Sequence, residues 1–226
     1  MANSHIERLL ARYEGNRVVR GLLQLVPFGL GGATDVVLTK TLDNIREDRA
    51  RHFFDELANR DDPLDPKVLE SEDFLHCYFA TTRYALNSRR REKIAMFARL
   101  LQASLAEVGP KDVDEYEEFL SVLEELSYRE IRALAILDTF STRPRTSEQN
   151  DLQWTNTFWD EFEQCLVAEL GIPSDEVVDF MNRISRTGCY EMFTGGYFDY
   201  TGGKGKLTPT YRRLKGFVAN SAGHAV

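Results

Sequence analysis

The chain is poor in the residues that usually announce chemistry. Its three cysteines, Cys77, Cys165 and Cys189, are scattered, which excludes a disulfide framework and a cysteine-based metal cluster and fits a reducing cytoplasm. Four histidines, His5, His52, His76 and His224, are equally dispersed. Long hydrophobic runs are missing as well. The most apolar uninterrupted piece, residues 18–26, would reach only ~14 Å as a helix, about half of the ~30 Å hydrocarbon thickness. The opening MANSHIERLLARYEG contains His5, Glu7 and Arg8 and lacks the apolar run of a secretory signal. There is no excess of basic residues: 28 Lys and Arg against 36 Asp and Glu give a net charge of −8, which disfavours nonspecific binding to a nucleic-acid backbone.

Familiar catalytic motifs are absent too. GGKGK at 202–206 fails the phosphate-loop pattern, because neither lysine is followed by Ser or Thr and the first glycine is misplaced. G-x-S-x-G does not occur. A carboxylate-bridged metal bundle needs Glu-x-x-His on two helices, and only Asp73-x-x-His76 approximates it. No metal or cofactor is expected.

What is present is a helical pattern. With 226 residues, 42% hydrophobic and 28% charged, the chain can bury one or two cores. Residues 18–42 crowd apolar side chains around Pro27, Gly29, Gly31 and Gly32, reading as two short helices around a turn. Leu42, Ile45, Phe53, Phe54 and Leu57 continue at helical spacing to about Asn59, and DDPLDP at 61–66 reads as a linker. A helix over 67–86 follows, with Leu75, Tyr78, Phe79, Thr82 and Leu86 as its stripe. Asn87 or Ser88 is the expected cap of the next, 89–107, which carries Ile94, Phe97, Ala98, Leu101 and Leu105. Tyr116 to Leu126 mark another, and Ser127 with Glu130 forms a capping box for one bearing Ile131, Leu134 and Leu137.

The polar segment 141–151 is the expected domain boundary. Beyond it, Trp154, Phe158, Phe162, Leu166 and Leu170 form a stripe closed by Gly171, and Ser174 is expected to cap a helix with Val177, Phe180, Met181 and Ile184. Glycine pairs at 195–196 and 202–203 signal a hairpin, and Thr208-Pro209 starts a last helix. The expected architecture is therefore mainly α: an N-terminal helical bundle (1–140), a small α+β winged-helix-like module with a β-hairpin (152–218), and a disordered tail (219–226). The helix, helix, hairpin, helix order and the "LTP, then a helix" ending resemble bacterial winged-helix modules. Ser174-Asp175-Glu176 would put carboxylates at the start of the recognition helix, and residues 139–226 hold nine Lys and Arg against eleven Asp and Glu. Nucleic acid is thus disfavoured as a partner.

Three features remain as candidate sites. The first is the apolar hairpin of Leu22, Leu23, Leu25, Val26, Phe28, Leu30, Val36, Val37 and Leu38, read either as bundle core or as an element for a partner or an anionic membrane surface, with Asp35 favouring shallow insertion. The second is the basic run Arg89, Arg90, Arg91 and Lys93. Residues 83–106 hold six basic groups and one acidic, residues 107–138 ten acidic and three basic, so this run is expected to face the chain's own acids, notably Glu115, Glu117, Glu118, Glu124 and Glu125, or else an anionic partner. The third is Arg46-Glu-Asp-Arg-Ala-Arg-His52, which resembles the Arg-x(4 to 6)-His motif of an all-α ribonuclease family of bacterial toxin and defence systems. That resemblance implies metal-independent RNA cleavage with His52 as acid/base and Arg46 stabilising phosphate charge. On a straight helix, however, the two are ~240° apart.

Residues 69–105, LESEDFLHCYFATTRYALNSRRREKIAMFARLLQASL, followed by EYEEFLSVLEELSYREIRALAIL, resemble helical bacterial proteins grouped around the abortive-infection protein Abi-alpha, where a helix ending in "LL" precedes "L..LS..E...L". PFGLGG at 27–32 resembles the turn of related small proteins. The resemblance covers about half the chain and implies a defence or stress role, with no site residues to carry over. The expected function is a nonenzymatic interaction protein with a protein partner or self-association, cytoplasmic and able to act peripherally at the inner membrane.

Overall fold

In a computed structural model, residues 2–26, 36–59, 67, 70–106, 109–194 and 202–219 are described. The chain is mainly α-helical, as its periodicity predicts. In order come α1 (Ala2–Arg12), α2 (Arg17–Gln24), α3 (Val36–Ala58), α4 (Glu72–Asn87), α5 (Arg91–Ala103), α6 (Val113–Glu125), α7 (Tyr128–Phe140), α8 (Asp151–Asn156), α9 (Trp159–Leu170), α10 (Val177–Ser185), β1 (Tyr190–Met192), β2 (Gly205–Leu207) and α11 (Pro209–Val218). The chain divides inside α6 into two compact units, Met1–Leu120 and Ser121–Val226. The polar segment 141–151 lies within the second unit. The reason is that α7 packs on α9, where Phe140 stacks on Phe158 and meets Phe162 edge-on.

The first unit is organised by α3, which packs against α4 and α5, with α1 and α2 also against it. Phe53, Phe54 and Leu57 of α3, Phe74, Cys77 and Tyr78 of α4, and Ile94, Phe97 and Leu101 of α5 are all buried, at the i, i+3, i+4 spacing of a helical face. Phe79, expected in the stripe of α4, is 47% exposed; the buried face runs through Phe74, Cys77, Tyr78, Thr81, Thr82 and Ala85 instead. Ser71 caps α4 and Asn16 caps α2. Ser88 does not cap α5. It closes α4, its hydroxyl donating to Tyr84 O, and α5 begins after Arg90 without a side-chain cap. The linker 61–66 lies outside the described residues.

In the second unit the capping box of Ser127 and Glu130 forms as the sequence predicts. Gly171 ends α9 in the left-handed region (φ 60°), where glycine bears no Cβ penalty. Ser174–Glu176 is a single 3-10 turn and α10 starts at Val177 without a Ser174 cap. The expected stripe from Trp154 to Leu170 is broken into α8 and α9. β1 and β2 pair antiparallel, Tyr190 opposite Leu207 and Met192 opposite Gly205. Lys206 bridges to Asp151 and Lys204 donates to Asn156, holding β2 on α8. Thr208 caps α11 ahead of Pro209. Gly195-Gly196 and the tail from residue 220 lie outside the described residues.

Candidate functional site

Along α3, Asp48, His52, Asp55 and Glu56 follow one another at steps of four, three and one, which places them on one side of the helix, and Asn59 comes just past its end. Opposite them α5 offers Arg91 and, one turn on, Ala95. Between the two helices opens a hollow of about 530 Å³ lined by His52, Asp55, Glu56, Ala58, Asn59, Arg91 and Ala95. Two alanines among the lining residues leave its space unfilled.

Ion pairs ring this hollow. Both oxygens of Asp55 accept from Arg12 (2.8 and 3.0 Å), and Tyr13 Oη donates to Oδ1 at 2.9 Å. Burial works against the charge on Asp55, yet the hydrogen bonds from Arg12 and Tyr13 outweigh it and hold the carboxyl below its ordinary value. Glu56 accepts from Arg99 Nε at 2.7 Å. Asp48 accepts from Arg51 and, at 3.3 Å, from Arg91 Nη2. His52 Nε2 stands 3.5 Å from Asp48 Oδ2, at the outer limit of hydrogen-bond distance, and is a buried atom with no hydrogen-bond partner among the described residues.

Arg46 does not line the hollow. It is exposed on the same uninterrupted helix as His52, so the rotation of six residues separates the two, and Arg91 is the guanidinium that shares a hollow with the imidazole. Sequence reading placed Arg91 in a basic run and His52 in a different motif. The signal that could have joined the rest is the spacing of Asp48, His52, Asp55 and Glu56 on one helical side; nothing local announces that α5 supplies Arg91.

Within the basic run, Arg91 reaches an acid of α3. Arg91 pairs with Asp48 and, further along α5, Arg99 pairs with Glu56. Lys93 lies over the Phe97 ring at 5.7 Å, and Arg89 and Arg90 are exposed. On α6, Glu117 Oε1 accepts from His76 Nε2 of α4 at 2.7 Å, and Glu115 accepts from the Lys111 amide.

Of the apolar hairpin, the described side chains are those of its first arm. Leu22 and Leu23 have no solvent exposure, Val26 is buried, and Tyr78 Oη donates to Leu22 O at 2.5 Å. Leu25 is 42% exposed. Phe28 and Leu30 lie outside the described residues; Val36, Val37 and Leu38 fall in the first turns of α3, and their side chains are likewise outside the description. Among the described residues no helix is long and apolar enough to cross a membrane, and no group of three His, Cys, Asp or Glu side chains could hold a metal ion.

No family model, no curated protein and no solved structure matches the chain.

Proposed function

We propose that the chain is a nonenzymatic interaction protein of bacterial defence or stress response, acting peripherally at the cytoplasmic face of the inner membrane through the apolar sequence that follows α2. The observation that carries this reading is the contrast along that helix. Val18, Val19, Leu22, Leu23 and Val26 are buried while Leu25 is exposed immediately before the apolar stretch 26–38. Pulling these five side chains into lipid would exchange one apolar surrounding for another, with no hydrophobic gain, and would open cavities in the packed core. Helix α2 with Val26 therefore serves as the fixed base, and Leu25 with residues 27–38 as the element offered to a shallow membrane site or a partner. The resemblance to Abi-alpha-like proteins supports the defence assignment.

The order α9, α10, β1, β2, α11 supports reading the second unit as a winged-helix-like module. Asp175 and Glu176 in the turn before α10 and Asp179 in its first turn oppose phosphate, whereas exposed Val167 and Val178 suit a protein partner.

Sedimentation with phosphatidylglycerol vesicles tests the membrane role. The intact chain is expected to pellet, and Phe28→Glu with Leu30→Glu to stay in the supernatant with an unchanged melting temperature; a wild-type chain that never pellets overturns it. Binding of duplex DNA at physiological salt would overturn the docking reading of the second unit.

One observation favours a second reading, ribonuclease activity: His52 Nε2 has no hydrogen-bond partner among the described residues and shares the hollow with Arg91. Cleavage of RNA by the wild type, abolished in His52→Ala and Arg91→Ala but kept in Arg46→Ala, would establish it over the nonenzymatic one.

A further inference from the structure

The hollow between α3 and α5 is larger than an ion-pair network needs. Its volume of about 530 Å³ falls in the range of small-molecule pockets, ~300–1,000 Å³. Its carboxylates are largely committed: Asp55 to Arg12 and Tyr13, Glu56 to Arg99. A cation entering it would have to break these bonds. Its nitrogen donors are not committed to the same degree. Arg91, 66% exposed at its side chain, has five N–H groups and gives one of them to Asp48. His52 Nε2 donates to nothing among the described residues.

Asp48 stands between these two groups, 3.3 Å from Arg91 Nη2 and 3.5 Å from His52 Nε2. Charge-assisted hydrogen bonds of this kind close to about 2.7–2.9 Å, so the carboxylate is loosely held by both. It also keeps a separate partner in Arg51. Around the hollow Asp48 pairs with Arg51 and Arg91, Asp55 with Arg12 and Glu56 with Arg99.

We propose that this hollow binds a small phosphate ester of mononucleotide size. Arg91 and His52 take the phosphate, displacing the Asp48 carboxylate, which stays with Arg51. The Asn59 amide offers hydrogen bonds to the sugar or base, and Ala58 and Ala95 leave room for a planar ring. Guanidinium groups match phosphate oxygens two at a time, which is more than the single long contact to Asp48 provides. The inference concerns binding and stands apart from the membrane role proposed above, so either can fail alone.

Calorimetric titration of the intact chain with 5′-AMP, and separately with inorganic phosphate, tests it. Saturable one-to-one binding of 5′-AMP is expected, with inorganic phosphate at least tenfold weaker. Arg91→Gln and His52→Gln should each weaken 5′-AMP binding tenfold or more, and Arg89→Gln, outside the hollow, should leave it unchanged. Asp48→Asn is the decisive variant: it removes the competing carboxylate and should tighten binding several-fold, a gain that a misfolded protein cannot produce. Absence of saturable binding, equal affinity for phosphate and 5′-AMP, indifference to Arg91→Gln, or weakening by Asp48→Asn would each overturn the proposal.

Discussion

Tyr78 has no solvent exposure, and its hydroxyl donates to the Leu22 carbonyl, so one phenol ties α4 to the base of the apolar hairpin. Tyr78→Phe keeps the ring and removes the bond. It should lower stability by about 0.5–1.5 kcal/mol, the net worth of a hydrogen bond, whereas Leu22→Ala, which opens a cavity, should cost about 2–5 kcal/mol. Urea unfolding with an unchanged slope measures both; a Leu22→Ala midpoint equal to the wild type would mean that α2 is not part of the core. Glu130 gives a pH-dependent counterpart. Burial opposes its charge, but bonds from Arg186 and from the Ser127 amide and hydroxyl prevail and hold its pKa below the ordinary 4.5. A carboxyl depressed in the folded state stabilises the protein above its unfolded value and loses that contribution as pH falls through the folded one. Glu130→Gln should therefore be less stable than the wild type by about 1.5–3 kcal/mol at neutral pH, and the gap should close as pH drops below the unfolded value. A gap independent of pH would show that packing, not charge, is what Glu130 supplies.

At the scale of elements, the turn-forming glycines carry the C-terminal pair of strands. A Cβ on Gly205 would lie 2.2 Å from Glu191 O and 2.5 Å from the Tyr190 ring, and a backbone atom cannot rotate away as a side chain can. Gly205→Ala is expected to destabilise the second unit by about 1–3 kcal/mol and to weaken amide protection at Glu191 and Lys206, read by hydrogen exchange; unchanged protection would show that the strands accommodate a methyl. Elements with a local chemical signature were the legible ones. The box of Ser127 and Glu130, Gly171 and Thr208-Pro209 each act within four residues and fall where the sequence puts them. Elements defined by what packs on them were less so: Phe79 and Ile45 fit an apolar period yet are exposed, because period alone does not say which side of a helix meets a neighbour. The hollow has the same limit. His52 and its acids share a helical side in plain view, but Arg91 joins them only through the packing of α5 on α3, a contact spanning the linker.

At the scale of the whole molecule, three thiols report on two separately built cores. None is in a disulfide, so a reductant should leave the melting temperature unchanged. Cys77 is buried in the first unit, and burial, with Glu117 and Asp73 adding to it, pushes its pKa up to about 11; Cys189 is buried in the second and also raised, chiefly by burial. Thiolate is the reactive form, so both are slowed twice over, by access and by ionisation. Cys165, on α9, is only half-buried. A thiol reagent in native buffer should modify Cys165 first and leave Cys77 and Cys189 protected until the surrounding core opens. Mass-resolved labelling along a urea series then assigns an opening free energy to each unit, Cys77 for the first and Cys189 for the second. Modification of Cys77 as fast as Cys165 without denaturant would mean that the face of α4 carrying Tyr78 is not packed, and the fixed base required for the apolar segment would be lost with it.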